Sequence, residues 1–354
     1  MTTRKSGYVS QVTFLPANIK TKLISMTGKG KWGSRMHTQQ GISSLRTKIL
    51  FCILAVHTLL RLAPPCDGKT PDAGFSLPED MVEVRFNYRT YNELIVLAVT
   101  INDSIKANLI LDTGCRNVLL FGKRFERLLG TLPNYDVRFS GLGNQPPLKG
   151  KLALNNKISI HTIVGKKIPI VILREKNLFT GSSKIDGIIG YDIFLRFEVE
   201  INSGRKQITF RSPEQAEIQG GYTKIPLTVE DTRPLVHSKI FFSGSDGASL
   251  DIMLDTGSAL GLLIRSRDDV LFTDGQQHVL GKGLNGNVRG TVKWARRIVL
   301  ETLEISIPEV RIYRSHWQTH GSVGMAVIKD YTLVLNYCKG YVGFKKSKVQ
   351  KQFT

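Results

Sequence analysis

The sequence predicts an all-β protein built from two similar halves. Three observations predict this class: short runs in which apolar and polar residues alternate, a scarcity of helical periodicity, and an internal repeat centred on the triplet Asp-Thr-Gly. Alternation with a period of two is the pattern of a strand that buries one face. At 354 residues the chain is long enough for two domains of ordinary size, roughly 100–200 residues each.

The positive charge of the chain is concentrated at its N-terminus. The formal net charge is +20, and ten Lys or Arg residues but no Asp or Glu precede Asp67. Basic clusters neutralise phosphates in nucleic-acid-binding proteins, but neither a recognition motif nor a series of stacking aromatic residues accompanies this charge. A basic leader over 1–48, ahead of an export signal, is the simpler interpretation, and no nucleic-acid partner is expected.

An apolar run follows the basic leader. The sequence ILFCILAVHTLL occupies 49–60 after Arg46 and Lys48, and at 12 residues it is shorter than the roughly 20 that a spanning helix needs. Residues 49–65 are therefore predicted to be a signal-peptide core or anchor, with Met36 as the working start. The alternatives are an uncleaved anchor, which would associate with a membrane through 49–60, and a cytosolic amphipathic segment. The first interpretation predicts an exported protein, whether periplasmic, secreted or membrane-anchored.

The rest of the chain is predicted to form strands separated by turns. Apolar residues alternate over 82–86 and again from Ile95 to Ile101, whereas helical candidates are limited to Phe121 to Leu129 and Tyr191 to Leu195. Stretches that contain Pro and Gly mark linkers. The predicted segments are a linker at 66–80, an N-terminal lobe at 81–212, an inter-lobe linker at 213–221, a C-terminal lobe at 222–346 and a basic tail at 347–354.

The cysteines and histidines give no metal site. The four cysteines have no metal-type spacing such as Cys-x-x-Cys and form no recognisable disulfide framework. The seven histidines also lack the spacing of metal ligands. Neither a metal nor an organic cofactor is expected.

The two lobes share a pattern longer than the triplet. LILDTGCRNVLLF occupies 109–121, and IMLDTGSALGLLI occupies 252–264. Downstream, Gly190 and Gly324 are each followed after 12 residues by an Asn, and that Asn is followed after 8 residues by a Phe. Each copy also has a glycine-rich segment, the first glycine stretch GLGNQ at 141–145 and the second glycine stretch GLNGN at 283–287. The chain is therefore an internal duplication.

The repeated aspartates suggest shared chemistry. An Asp inside an apolar strand has a large desolvation cost, so Asp112 and Asp255 are expected to meet and share one proton. The glycine permits a tight turn, and the Thr hydroxyl can bond the backbone or the opposing copy. The residue after each triplet is expected to donate to its carboxylate, with the Cys thiol as the weaker donor. The supporting positions are Thr113, Gly114, Cys115, Thr256, Gly257 and Ser258.

On these residues the chain resembles aspartic peptidases of the pepsin and retropepsin clan, most closely single-chain bacterial members with two retropepsin-like lobes. The likeness covers 81–346. It implies two β-barrel lobes with an active-site cleft between them, and an endopeptidase that activates a water between Asp112 and Asp255. It also implies a peptide or protein substrate and flaps at the two glycine stretches. The flap candidates are Gly141, Gly143, Gly283 and Gly286.

Several features leave alternatives open. Cys115 stands where the family more often has Ser, Thr or Ala, and Ser-Val-Gly at 322–324 replaces an aliphatic pair before glycine. The glycine stretches could be ordinary hairpin turns, and each Asp could merely cap a turn. A catalytically inactive peptide-binding protein with the same fold is the rival function. Because the duplication supplies both aspartates, a monomer is expected.

Overall fold

The computed structural model of the protein describes residues 13–15, 73–130, 136–143, 145–174, 185–242, 247–266, 277–307, 309–314 and 320–347. The predicted signal-peptide core or anchor at 49–65, with its apolar run at 49–60, lies outside these residues, as do almost all of the basic leader (1–48) and the basic tail (347–354). The described residues belong to one compact unit. None of their helices combines the length and the apolar character needed to cross a membrane.

Strands dominate the chain, so the all-β prediction is confirmed. The strands of the first half are β1 (Thr13–Leu15), β2 (Gly74–Ser76), β3 (Glu83–Asn87), β4 (Arg89–Tyr91), β5 (Leu94–Ile101), β6 (Ile105–Leu111), β7 (Val118–Phe121), β8 (Asp136–Ser140), β9 (Leu148–Ile160), β10 (Ile163–Leu173), β11 (Gly187–Ile189), β12 (Glu198–Asn202) and β13 (Gln207–Arg211). Those of the second half are β14 (Thr223–Pro226), β15 (Thr228–Glu230), β16 (Arg233–Phe242), β17 (Ala248–Asp255), β18 (Leu262–Ser266), β19 (His278–Gly283), β20 (Gly286–Leu300), β21 (Leu303–Ser306), β22 (Glu309–Arg314), β23 (His320–Gly324), β24 (Tyr331–Asn336) and β25 (Tyr341–Lys346).

Each half contains a closed ring of six hydrogen-bonded strands. In the first half the order is β5-β6-β11-β7-β10-β9, and β9 pairs again with β5. In the second half it is β16-β17-β23-β18-β22-β20, and β20 pairs again with β16. The two parallel pairings of each ring also correspond: β6 with β11 and β7 with β10 match β17 with β23 and β18 with β22. The sequence repeat is thus a repeat of topology.

A third sheet joins the halves. Its order is β14-β25-β24-β12-β13-β3, with three strands from each half. Glu200 lies opposite Val334 where β12 pairs with β24. The offset of 134 residues that relates Gly190 to Gly324 also relates these two residues. Glu200 and Val334 are therefore equivalent residues that lie opposite each other where β12 pairs with β24, as expected at a local twofold axis.

Three short helices complete the described fold. They are α1 (Arg124–Leu129), α2 (Tyr191–Phe194) and α3 (Met325–Ile328). The first two lie within the predicted helical candidates, whereas α3 was not predicted, although the same offset of 134 residues relates its start to that of α2. Cys338 is disulfide-bonded, which the cysteine spacing did not indicate.

Candidate functional site

The two repeated aspartates lie at the ends of equivalent strands. Asp112 directly follows β6, Asp255 is the last residue of β17, and both are fully buried, with 0% exposure. In each loop the glycine N–H donates to the carboxylate two residues before it. The distance is 2.7 Å from Gly114 to Asp112 Oδ1 and 3.1 Å from Gly257 to Asp255 Oδ1. These bonds fix the orientation of both carboxyl groups.

The threonines of the two triplets bind each other's loops. The Thr113 hydroxyl donates to the carbonyl of Leu254 at 2.5 Å and accepts from the N–H of Thr256 at 3.0 Å. Reciprocally, the Thr256 hydroxyl donates to the carbonyl of Leu111 at 2.9 Å and accepts from the N–H of Thr113 at 3.1 Å. The expected bonding of Thr to the opposing copy is confirmed. We call these four bonds the threonine interlock.

The repeated glycines allow close backbone packing behind each aspartate. A Cβ on Gly190 would lie 2.2 Å from the carbonyl oxygen of Asp112, and one on Gly324 would lie 2.6 Å from that of Ser258. Tyr191 N–H donates to Cys115 O at 2.9 Å, and Met325 N–H donates to Ser258 O at 2.7 Å. Only glycine fits where a helix start packs this closely against an aspartate loop, which explains why both copies have it.

The two carboxyl groups interact electrostatically. Burial raises the pKa of Asp255 well above its usual range, and the negative charge of Asp112 raises it further. The Gly257 N–H and the guanidinium groups of Arg265 and Arg233 oppose this rise. Such a pair holds one proton over a pH range in which isolated carboxyls are ionised. Among the described residues, Asp255 Oδ2 has no hydrogen-bond partner although it is buried.

The structure brings the two glycine stretches into direct contact. The N–H of Asn285 donates to the carbonyl of Leu142 at 2.9 Å, and its own carbonyl accepts from the N–H of Gln145 at 2.8 Å. The side-chain amide of Asn285 donates to Pro146 O at 2.6 Å, and its oxygen accepts from the N–H of Gly141. Asn285 itself is 2% exposed, whereas its partners Gln145 and Pro146 lie at the surface, so the contact has one buried and one exposed side.

Glycine at these positions has a steric reason. A Cβ on Gly143, which has a φ of +126°, would lie 2.1 Å from the carbonyl oxygen of Asn285. A Cβ on Gly283 would lie 2.2 Å from the carbonyl oxygen of Leu142. Gly286 also has a positive φ, +89°, as the first residue of β20 after the two-residue turn from β19. The glycines therefore permit one stretch to lie against the other.

An apolar cluster lies beside these contacts. Leu142 of the first stretch packs with Leu260 and Leu263 from the second half. Leu280 and Val288, from the two strands that carry the second stretch, complete the cluster. The stretches are thus connected to the residues that follow the second aspartate.

Cys115 does not have the role expected from the sequence. Its thiol donates to the carbonyl of Asn117 at 3.0 Å, so the thiol proton is not available to Asp112. The residue is 0% exposed, and burial raises the pKa of its thiol well above the usual range. The expectation that the residue after the first triplet donates to its carboxylate is therefore wrong. In the second loop Ser258 Oγ accepts from the N–H of Leu260 at 3.3 Å.

Sequence reasoning missed several groups near the aspartates. Burial raises the pKa of Asp192, on α2, to about 6, although Arg196 opposes the rise. Asp231 forms ion pairs with Arg116 and with Arg233, which join the first aspartate loop to the β15–β16 turn of the other half. Charged residues occur throughout the sequence, so no pattern distinguished these from solvated ones. Asn285 carried a signal, since Asn-Gly between strands marks a tight turn, but the contact with the first stretch was not visible.

The family comparison agrees with this geometry. Residues 97–193 match the model of the family described as aspartyl protease. The matched segment contains Asp112, its loop, the first glycine stretch and Gly190, and it confirms the resemblance to an aspartic peptidase family. None of the curated proteins matches the chain.

Proposed function

Starting from the aspartyl protease family that residues 97–193 match, we propose that this protein is an aspartic endopeptidase whose two catalytic carboxyls both come from one chain. The observation that carries the proposal is the pair of buried aspartates, Asp112 and Asp255. Their loops are joined by the threonine interlock, and the charge of one raises the pKa of the other. An Asp that only caps a turn needs neither a second buried carboxyl nor a connection to another loop.

We assign each six-stranded ring to one retropepsin-like β-barrel lobe. The rings have the same strand order and the same parallel pairings. The aspartate loops lie at equivalent ends of β6 and β17, so the cleft lies between the lobes, with the central sheet joining them. The two glycine stretches are its flaps, because they belong to different lobes and bind each other through Asn285.

The proposed mechanism uses the shared proton. A peptide lies in the cleft as an extended strand. The ionised carboxyl removes a proton from a water as that water attacks the scissile carbonyl carbon. The protonated carboxyl gives its proton to the developing oxyanion, which forms a gem-diol. As the C–N bond breaks, the carboxyl that took the water proton passes it to the leaving amine, and the other carboxyl takes back a proton from the gem-diol, which restores the shared proton. Asp255 Oδ2 is the buried oxygen that we assign to the attacking water.

Further elements of the proposal concern the environment of the enzyme. The substrate is a peptide or protein, and the enzyme acts as a monomer because the threonine interlock joins two loops of one chain. We also propose that it is exported, whether periplasmic, secreted or membrane-anchored, on the basis of the apolar run at 49–60. N-terminal sequencing from the native host should give a start near Ala63 to Asp67. A start at Met1 or Met36 would contradict processing.

A mixed peptide library tests the proposed activity directly. Cleavage at internal bonds by the wild type, with no cleavage by the Asp112→Asn/Asp255→Asn double variant, supports an endopeptidase. If wild type and double variant bind the same peptides and neither cleaves them, the protein is a catalytically inactive peptide-binding protein with the same fold. Specific activity that falls on dilution would argue against the monomer.

A further inference from the structure

A group of three arginines, one from the first aspartate loop and two from the second half, lies near Asp255. We call it the arginine wall and define it as Arg116, Arg233 and Arg265. Both Arg233 and Arg265 are close enough to Asp255 to lower the pKa of its carboxyl. Asp231 pairs with Arg233 at 3.4 Å and also with Arg116. The Asp231 carboxylate is thus shared by the guanidinium groups of Arg116 and Arg233. Arg265 lies close enough to Arg233 for the charge of one to lower the pKa of the other.

Arg265 lies on the face of β18 that points toward the flaps. Leu262 and Ile264 of that strand belong to the main core, whereas Leu263 belongs to the cluster beside the glycine stretches. Side chains alternate along a strand, so Arg265 shares the face of Leu263. Its neighbour on β22 is Tyr313, which packs against the same cluster.

The guanidinium of Arg265 has a phenol, not a carboxylate, as its hydrogen-bonding partner. It donates to the side chain of Tyr313, and among the described residues no carboxylate lies within 4.0 Å of it as an ion-pair partner, although the charge of Asp255 acts on it. Burial lowers its pKa, and the charge of Arg233 acts in the same direction. Arg265 is half-buried, and Asp255, whose negative charge raises the pKa of the guanidinium, is not within ion-pair distance of it. A partly buried cation without a paired anion is unfavourable, and such groups are usually paired or functional.

The equivalent position in the first half is apolar. Ile188 and Ser322 are equivalent residues, each two positions before the repeated glycine. Ile188 pairs with Leu119 of β7, and Ser322 pairs with Leu263 of β18, so Leu119 and Leu263 are equivalent as well. Two residues further along each strand lie Phe121 and Arg265. Their neighbours in the adjacent parallel strand are Leu173 and Tyr313 respectively. The duplication therefore has a buried Phe–Leu pair on one side and an Arg–Tyr pair on the other.

We propose that the arginine wall, with Arg265 as its specificity-determining residue, binds the carboxylate of an Asp or Glu side chain of the substrate close to the scissile bond. This inference rests on the proposed peptidase function and names its substrate class. The guanidinium supplies planar, paired N–H donors that match a carboxylate. Because the equivalent position of the other half is apolar, the acidic residue is required on one side of the scissile bond only.

Matched peptides test the inference. Each pair differs by Glu against Gln at one position on either side of a cleaved bond, and kcat/KM is measured for both members. We expect one position at which Glu is favoured about 10- to 100-fold, the range of a charge-assisted hydrogen bond. Arg265→Gln should reduce that ratio to about one, and Arg265→Lys should restore part of it. Arg297→Gln is the control, since Arg297 lies on the exposed face of β20 and pairs with Glu304.

The outcomes separate this inference from the proposed function. Absence of any cleavage defeats both. Cleavage with a Glu-to-Gln ratio near one at every position overturns the arginine wall and leaves the peptidase standing. A uniform loss for both peptides in Arg265→Gln would show that Arg265 only tunes the aspartates, and it also overturns the inference. If Arg265→Gln fails to fold, as shown by its thermal unfolding, the ratios of Arg265→Lys and Arg233→Gln decide.

Discussion

The threonine interlock should contribute strongly to both stability and activity. Replacing Thr113 by Val keeps the shape of the side chain but leaves the Leu254 carbonyl and the Thr256 N–H without the hydroxyl. Both loops are fully buried, so water cannot replace the lost partner. A buried polar group left unpaired costs about 1–3 kcal/mol, so for these two groups we expect a loss of about 2–6 kcal/mol in the free energy of unfolding. Kcat/KM should fall as well, since the carboxyls are no longer held in register.

Thr113→Ser is the matched control. It keeps the hydroxyl and loses one methyl group, which costs about 1 kcal/mol. Urea unfolding of the wild type, the Ser variant and the Val variant gives the two costs, and cleavage of one peptide substrate gives the activities. Equal costs for Ser and Val, both near 1 kcal/mol, would refute the claim that the hydroxyl bonds hold the loops together.

Three further predictions concern single residues near the site. Burial raises the pKa of Asp192 to about 6, so the folded state is destabilised by ionisation of this carboxyl as the pH rises from about 4 through 6. Asp192→Asn should therefore have a free energy of unfolding about 2–3 kcal/mol larger than that of the wild type at pH 7, and a gap between the two proteins that is the same at pH 4 and pH 7 would contradict this. Asn285→Ala removes the side-chain bonds to Gly141 and Pro146, so it should lower kcat/KM about tenfold and the free energy of unfolding by roughly 1–3 kcal/mol. Gln145→Ala keeps its main-chain bond and should lower both quantities less, whereas equal reductions in the two variants would show that the Asn285 side-chain amide is dispensable. Because the Cys115 thiol is buried and bonds Asn117, Cys115→Ser should leave the acid limb of the activity profile in place, and a shift of about one pH unit would show that this residue does donate to Asp112.

The duplication made most of the strand content predictable. Alternating apolar residues mark strands because a strand buries one face, and two Asp-Thr-Gly copies with matching glycines downstream mark equivalent loops. The sequence left the Thr hydroxyls to bond the backbone or the opposing copy, and the structure shows that they bond the backbone of the opposing copy. Even α3, near Met325, could have been predicted by applying the offset from α2, but its own sequence has no helical period.

Contacts between distant segments were not predictable in the same way. The bonds of Asn285 to the first glycine stretch and the ion pairs of Asp231 with Arg116 and Arg233 depend on how the two halves meet. No local pattern encodes that geometry. The Cys115 expectation failed for a similar reason, because a thiol takes whichever acceptor its loop presents, and here that acceptor is the Asn117 carbonyl.

The central claim is that Asp112 and Asp255 form one catalytic unit. The most direct test is kcat/KM for one peptide with the wild type, Asp112→Asn, Asp255→Asn and the double variant, each checked for folding by urea unfolding. We predict that each single variant loses activity by about 10²- to 10⁴-fold or more, and that the double variant loses little beyond either single one, since a shared proton requires both carboxyls. A folded single variant that keeps more than about a tenth of wild-type activity, or losses that simply multiply in the double variant, would contradict the claim.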